Sequence, residues 1–208
     1  MNLTTLRGAF AAVSGLMDKN RDYLIELDQQ NGDGDLGISM AAGFKAVSEY
    51  LNGAEEKDLG KLFMKCGGVF NEAASSSLGT ILSMGFMGMA RALRGKTEAD
   101  ISELALAMEG GLNNIMEKAK SKPGEKTILD ALCPAVEVLK NSAPGDHCRD
   151  AFKAAAQAAA EGAQKTKAMK SVHGRAAYYG DKSIGILDGG SVAGMLIFEG
   201  MSAYCETL

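Results

Sequence analysis

Apolar residues recur every three or four positions in almost every segment of this chain, and runs of alternating β-branched residues are missing. That periodicity restricts the fold to helices. Leu3, Leu6, Phe10, Val13 and Met17 form one stripe, Met40, Phe44, Val47 and Leu51 another, and Leu59, Leu62, Phe63, Val69 and Phe70 a third. A short segment at 22–27 lies between the first two. Leu78, Ile81, Leu82 and Phe86 follow a serine cluster at 75–77. Thr97-Glu98-Ala99-Asp100 has the Ser/Thr-x-x-acid form of a helix start, and the stripe from Ile101 to Met116 follows it. Ile128, Leu132, Ala135, Val136 and Leu139 predict a helix that Pro134 should kink. The Ala-rich run 151–163 is helical by propensity, and 192–204 closes the chain as a last helix. Turns fall at 121–127 and 141–146. About eight helices on short connections imply antiparallel neighbours, an all-α eight-helix up-and-down bundle or closed barrel.

The 208 residues suit one domain with a sizeable core. With 22 basic and 26 acidic residues the net charge is −4, which argues against nucleic acid as the main partner. No apolar run approaches the ~18 residues of a membrane span. Asn2-Leu3-Thr4-Thr5 is not the start of a secretory leader, so a cytoplasmic location is expected. Cys66, Cys133, Cys148 and Cys205 form no CxxC pair and are expected as thiols in a reducing compartment, with no disulfide frame or zinc site. With 26 glycines and 12 methionines but no tryptophan, small residues are expected where helices approach closely.

The chemistry concentrates in Leu27-Asp28-Gln29-Gln30-Asn31-Gly32-Asp33-Gly34-Asp35-Leu36-Gly37. Gly34 lets the backbone turn so that Asp33 and Asp35 aim at one point, and Asp28 can close from the side. Three converging carboxylates repel one another unless a cation joins them. Oxygen donors suit Mg²⁺ or Ca²⁺. An EF-hand loop counted from Asn31 puts Leu36 where glycine belongs and Ala42 where the bidentate glutamate belongs, so the Ca²⁺ pattern fails. Mg²⁺ shared with nucleotide phosphates fits a Gly-rich acidic turn, and a plain Asx-Gly surface turn is the alternative. The serine cluster has two readings as well: Ser75 as the cap of the next helix, or a hydroxyl-rich helix start that takes an anion. Residues 171–191 form a long Gly-rich loop with Ile, Leu and Tyr to pack. Loops of that length are functional or disordered, and the apolar residues favour an ordered one.

Three segments together resemble the L subunit, or nucleotide-binding domain, of the dihydroxyacetone kinases. They are Asp28 with Asp33-Gly34-Asp35-Leu36-Gly37, then Pro123-Gly124-Glu125-Lys126-Thr127, then His173-Gly174-Arg175-Ala176-Ala177-Tyr178-Tyr179-Gly180 with Ser183-Ile184-Gly185. The resemblance runs over nearly the whole chain and implies one nucleotide-binding domain, 1–208, built as an eight-helix barrel with ADP or ATP at one end. It implies that Asp28, Asp33 and Asp35 hold two Mg²⁺ ions bridged by phosphates. Leu36, Gly37, Ile38 and Ser39 would border the nucleotide, Ala74, Ser75 and Ser76 would face its phosphates, and Ile128 would line the base pocket. Arg175 would reach the nucleotide, with a structural ion pair as its alternative role, and Asp188, Gly189 and Gly190 would border the site.

The chain departs from the family pattern at Leu36, where histidine is frequent, at Ala74-Ser75-Ser76-Ser77-Leu78, and at Ile186-Leu187-Asp188-Gly189-Gly190. The family's ketose is held covalently by a separate K-type subunit, so such a partner is implied. The phosphate source is either a phosphotransferase-system protein acting on bound ADP or exchanging ATP. No catalytic nucleophile is expected in this chain, and neither His147 nor His173 is expected to carry phosphate. Other ketoses or polyol derivatives remain alternative substrates, and a regulatory relative without catalysis is the alternative of a different class.

Overall fold

The computed structural model describes residues 1–142 and 147–208. Among them are nine α-helices and no strand. They are α1 (Leu3–Lys19), α2 (Arg21–Asp28), α3 (Leu36–Gly53), α4 (Leu59–Ala73), α5 (Ser77–Ala92), α6 (Ile101–Ala119), α7 (Leu129–Lys140), α8 (Cys148–Lys165) and α9 (Gly189–Cys205). Each long helix packs on the next one in the chain, α1 against α3 and so on to α8 against α9, and α9 returns to pack on α1. The expected eight-stave antiparallel ring is therefore closed, with short α2 packed mainly on α3. Part of the turn expected at 141–146 lies outside the described residues.

At one end of the ring the Met1 ammonium donates to Ala99 O, and Leu59 N donates to Lys96 O at 2.7 Å. The acidic turn and the loop 166–188 lie at the other end. The inner wall is apolar because each helix turns its stripe inward. Phe10, Phe44, Phe63, Phe70 and Phe86 meet there in tilted and edge-on pairs, the closest being Phe44 and Phe70 with ring centroids 4.9 Å apart. Toward the end away from the acids the wall leaves an apolar cavity of about 240 Å³, lined by residues including Phe86, Leu112, Phe152 and Phe198.

Helices come close where glycine removes a side chain. A Cβ on Gly88 of α5 would lie 2.4 Å from Gly110 O of α6. A Cβ on Gly162 of α8 would lie 2.0 Å from Asp130 O of α7. That carbonyl is the one Pro134 cannot bond, since proline has no N–H to give. α7 nonetheless continues through Pro134 to Lys140.

Helix starts correct the sequence reading in two places. The capping box of α6 is Asp100 with Glu103, each side chain accepting from the other's backbone N–H, and not Thr97 with Asp100. Lys96 holds Glu103 at 2.6 Å and so selects that register. At α5 the cap is Ser76, whose hydroxyl accepts from Gly79 N at 3.1 Å, while the Ser75 hydroxyl donates back to Glu72 O. The expected irregular loop 171–191 contains a 3-10 segment, Arg175–Ser183, broken at Gly180 by a φ of 55°, and α9 begins three residues before the expected 192.

Candidate functional site

α2 ends on Asp28, and its carboxylate organises the turn that follows. Asp28 Oδ2 accepts from Gly34 N at 2.7 Å and Asp35 N at 3.1 Å, and Asp28 O accepts from Gly32 N at 2.6 Å. Two glycines make this possible. A Cβ on Gly32 would lie 2.2 Å from Asp28 Oδ1, and Gly34 has a φ of 80° that only glycine adopts freely. The turn brings one carboxylate oxygen each from Asp28, Asp33 and Asp35 within 4.8 Å of one another. Asp35 stands at the N-cap of α3 but makes no side-chain capping bond, so its carboxylate is free for other work. Burial, then repulsion from Asp33 and Asp28, raises the Asp35 carboxyl above its ordinary value, and Arg175 opposes that rise.

The donor set is carboxylate oxygen alone, half-buried to exposed, on a preformed turn. Such a set fits a hard divalent ion that keeps part of its water and shares phosphate oxygens. The Arg175 guanidinium lies across from it, 2.8 Å from Asp33 Oδ2, so the structure places Arg175 in an ion pair with the acidic turn.

The remaining residues singled out in the sequence fall into two groups. Leu36 and Gly37 are buried in the first turn of α3, Ile38 is exposed, and Ser39 is buried with its hydroxyl donating to Leu36 O. A Cβ on Gly189 would meet Leu36 at 2.6 Å, so the start of α9 stands against the start of α3. Gly190 faces Ile128, which is buried at the N-cap of α7. Three helix N-termini, those of α3, α7 and α9, thus gather beside the acids, and their unpaired amides favour anions. Ala74 is buried against Gly43, further down α3, with Ser75 exposed and Ser76 bound to its capping role. This second group forms the connection between α4 and α5.

Beneath the helix starts lies a polar network that residue type and spacing did not flag. Lys126 is 4% exposed and its ammonium donates to Thr166 O at 2.7 Å and to Ile186 O. Burial lowers its pKa, and the Asp188 and Asp130 carboxylates oppose this. Asp130 accepts from Gly124 N and, at 2.7 Å, from Thr127 N. The Thr127-x-x-Asp130 pattern was the one available signal for this turn. Asp188 caps α9 by accepting from Ser191 N at 2.6 Å, and its own N donates to the Thr166 hydroxyl at 3.1 Å.

Enclosure pushes the Asp188 carboxyl up to about 6 from 3.8. The folded protein then binds this proton more tightly than the unfolded chain, so stability is full below pH 4 and falls as pH rises toward 6. Asp188→Asn keeps a capping side chain. In thermal melts between pH 4 and 7 it is expected to remove a stability loss on the order of 2 kcal/mol across that range.

Residues 30–203 match the family model of the DAK2 domain. The chain is 34% identical over 185 residues to the ADP-binding subunit DhaL of PEP-dependent dihydroxyacetone kinase 1 from Listeria innocua, covering 89% of this chain and 88% of that one. It is 31% identical over 179 residues to the corresponding DhaL subunit from Escherichia coli, covering 86% and 85%. Among solved structures it superposes on the dihydroxyacetone kinase from C. freundii in complex with AMP-PNP and Mg²⁺, with a TM-score of 0.76 and 24% identity over 95% of this chain. It spans 33% of that longer kinase, so the match there is one of fold. Among the described residues no helix is long and apolar enough to cross a membrane.

Proposed function

This chain belongs to the DAK2-domain family, and from that premise we propose that it is the nucleotide-binding, phosphoryl-transferring subunit of a kinase for dihydroxyacetone or a similar short ketose. The observation that carries the reading is the convergence of the Asp28, Asp33 and Asp35 carboxylates within 4.8 Å on a turn beside three helix N-termini. On this reading the three carboxylates would hold two Mg²⁺ ions, and the metal would supply charge compensation for the phosphoryl group in transfer.

The chain's own residues do the rest by position. Asp28 fixes the turn through two backbone N–H groups while keeping Oδ1 beside Gly32. Asp33 and Asp35 complete the carboxylate face. Arg175 supplies a planar fork suited to phosphate oxygens. Ile128 and the Asp188-Gly189-Gly190 start of α9 wall the nucleotide on the side of α7. No side chain here acts as a nucleophile, because phosphoryl transfer needs alignment and charge compensation more than covalent help.

The relatives are named ADP-binding subunits of PEP-dependent kinases. A subunit implies a companion, and we assign the ketose to a separate K-type chain. PEP dependence favours bound ADP that is rephosphorylated in place by a phosphotransferase-system protein, in the cytoplasm, over ATP that exchanges each cycle. Native mass spectrometry of the purified chain, with released small molecules identified, tests this. Retained ADP with Mg²⁺ is expected. An empty chain that is stabilised by Mg·ATP would replace the fixed cofactor with an exchanging one, and no nucleotide under either condition would overturn the reading.

A further inference from the structure

Residues 166–188 leave the end of α8 and return to the start of α9, and the two sides of this excursion meet at a neck. Gly185 N donates to Lys167 O at 2.7 Å, and Ser171 N donates to the Ser183 hydroxyl at 3.0 Å. The Lys126 ammonium sits between the two sides, bonded to Thr166 O on one and Ile186 O on the other. Its neighbour Glu125 holds the flank of the loop, with Oε2 2.6 Å from His173 Nε2. The loop held in this way delivers Arg175 to 2.8 Å from Asp33.

Two features of Lys126 run against local stability. It adopts a φ of 62°, a left-handed value that disfavours any residue with a Cβ. It also buries an ammonium, which is unfavourable unless its protons and charge are satisfied. Both are tolerated at a point that joins the turn carrying Ile128 to both sides of the loop carrying Arg175. Strained, buried and hydrogen-bonded groups of this kind concentrate where geometry matters to function.

We propose that Lys126 is a positioning residue for nucleotide binding: by clamping the neck of the 166–188 loop to the α6–α7 turn, it fixes Arg175 opposite the Asp28, Asp33 and Asp35 carboxylates. The assignment rests on the nucleotide-binding reading above. Lys126 directs its ammonium at backbone carbonyls, so it acts through Arg175.

A double-mutant cycle on Mg·ADP affinity, measured by calorimetry on the full chain, tests the clamp. Lys126→Met and Arg175→Ala are each expected to weaken binding roughly tenfold or more. The double variant should bind no more weakly than the weaker single, because one effect passes through the other. Chymotrypsin cleavage after Tyr178, which is 92% exposed, should accelerate in Lys126→Met. A merely structural lysine would lower Tm and leave ADP affinity within twofold of the parent, or would give losses that multiply with those of Arg175→Ala. Either result overturns the proposal. If Arg175→Ala itself binds ADP normally, the nucleotide role of Arg175 fails first and the clamp falls with it. Should Lys126→Met not fold, Lys126→Arg is measured instead, since its larger planar head cannot enter the space of an ammonium without moving the two carbonyls apart.

Discussion

Asp33→Ala is expected to lower phosphoryl transfer to the ketose by roughly 10²–10³-fold while leaving Tm nearly unchanged. Asp33 is exposed, caps nothing and supports no backbone N–H, in contrast to Asp28. Among the described residues its partner is Arg175, and both side chains face solvent, so loss of that pair removes about 1 kcal/mol at most. Removal of one of three crowded carboxylates also relieves repulsion on Asp35, whose pKa should move back down toward its ordinary value. The stability change is therefore a small difference of opposing terms. On the proposed reading Asp33 would hold a divalent ion, and loss of such a ligand is not offset because it acts in the transition state. Coupled assays with the K-type partner, alongside thermal melts, check both halves. Full transfer by the variant would remove the acidic turn from the mechanism.

Gly162→Ala is expected to destabilise the fold by about 3 kcal/mol without touching the carboxylates. The added Cβ would stand 2.0 Å from Asp130 O and 3.0 Å from the Pro134 ring. The first contact is with backbone, which cannot rotate away. α7 and α8 must therefore separate, and their neighbours in the ring must follow. Urea denaturation reads the cost. A drop below about 0.5 kcal/mol would show that the α7–α8 contact yields more easily than interior packing does. The Asp130 carboxylate also pins the 124–127 turn, so the same variant should weaken nucleotide binding modestly through displacement of α7.

The barrel was legible in the sequence because most long helices bury one face and so write a 3.6-residue stripe, whereas α9 is buried on most of its sides. Phe10, Phe44, Phe63, Phe70 and Phe86, each read as part of a stripe, meet in one cluster on the inner wall. Spacing left the acidic turn at 28–37 open between a metal site and a plain Asx-Gly turn, and the fold brings its three carboxylates within 4.8 Å of one another. Capping registers were harder. Ser75, Ser76 and Ser77 are equally able to cap, and Thr97 and Asp100 are both good helix starts. The choice at α6 falls to Lys96 holding Glu103 and to Leu59 donating to Lys96 O, contacts made only after folding.

Lys126 stood in one of the three family-like segments, but its buried role was beyond reach for the same reason. Lysine type predicts exposure, and the carbonyls that bury this one lie 40 and 60 residues away. Arg175 had two open roles in the sequence, nucleotide contact or ion pair. The ion pair with Asp33 is present, and it lies at the carboxylate cluster where the first role would be exercised.

The central claim is that the Asp28, Asp33 and Asp35 turn binds nucleotide through divalent metal. Calorimetric titration of ADP into the nucleotide-stripped chain, once with Mg²⁺ and once with EDTA, tests it most directly. The account predicts one ADP per chain with Mg²⁺ and binding weaker by at least about tenfold in EDTA. Equal affinity in the two buffers, or no binding in either, would contradict it.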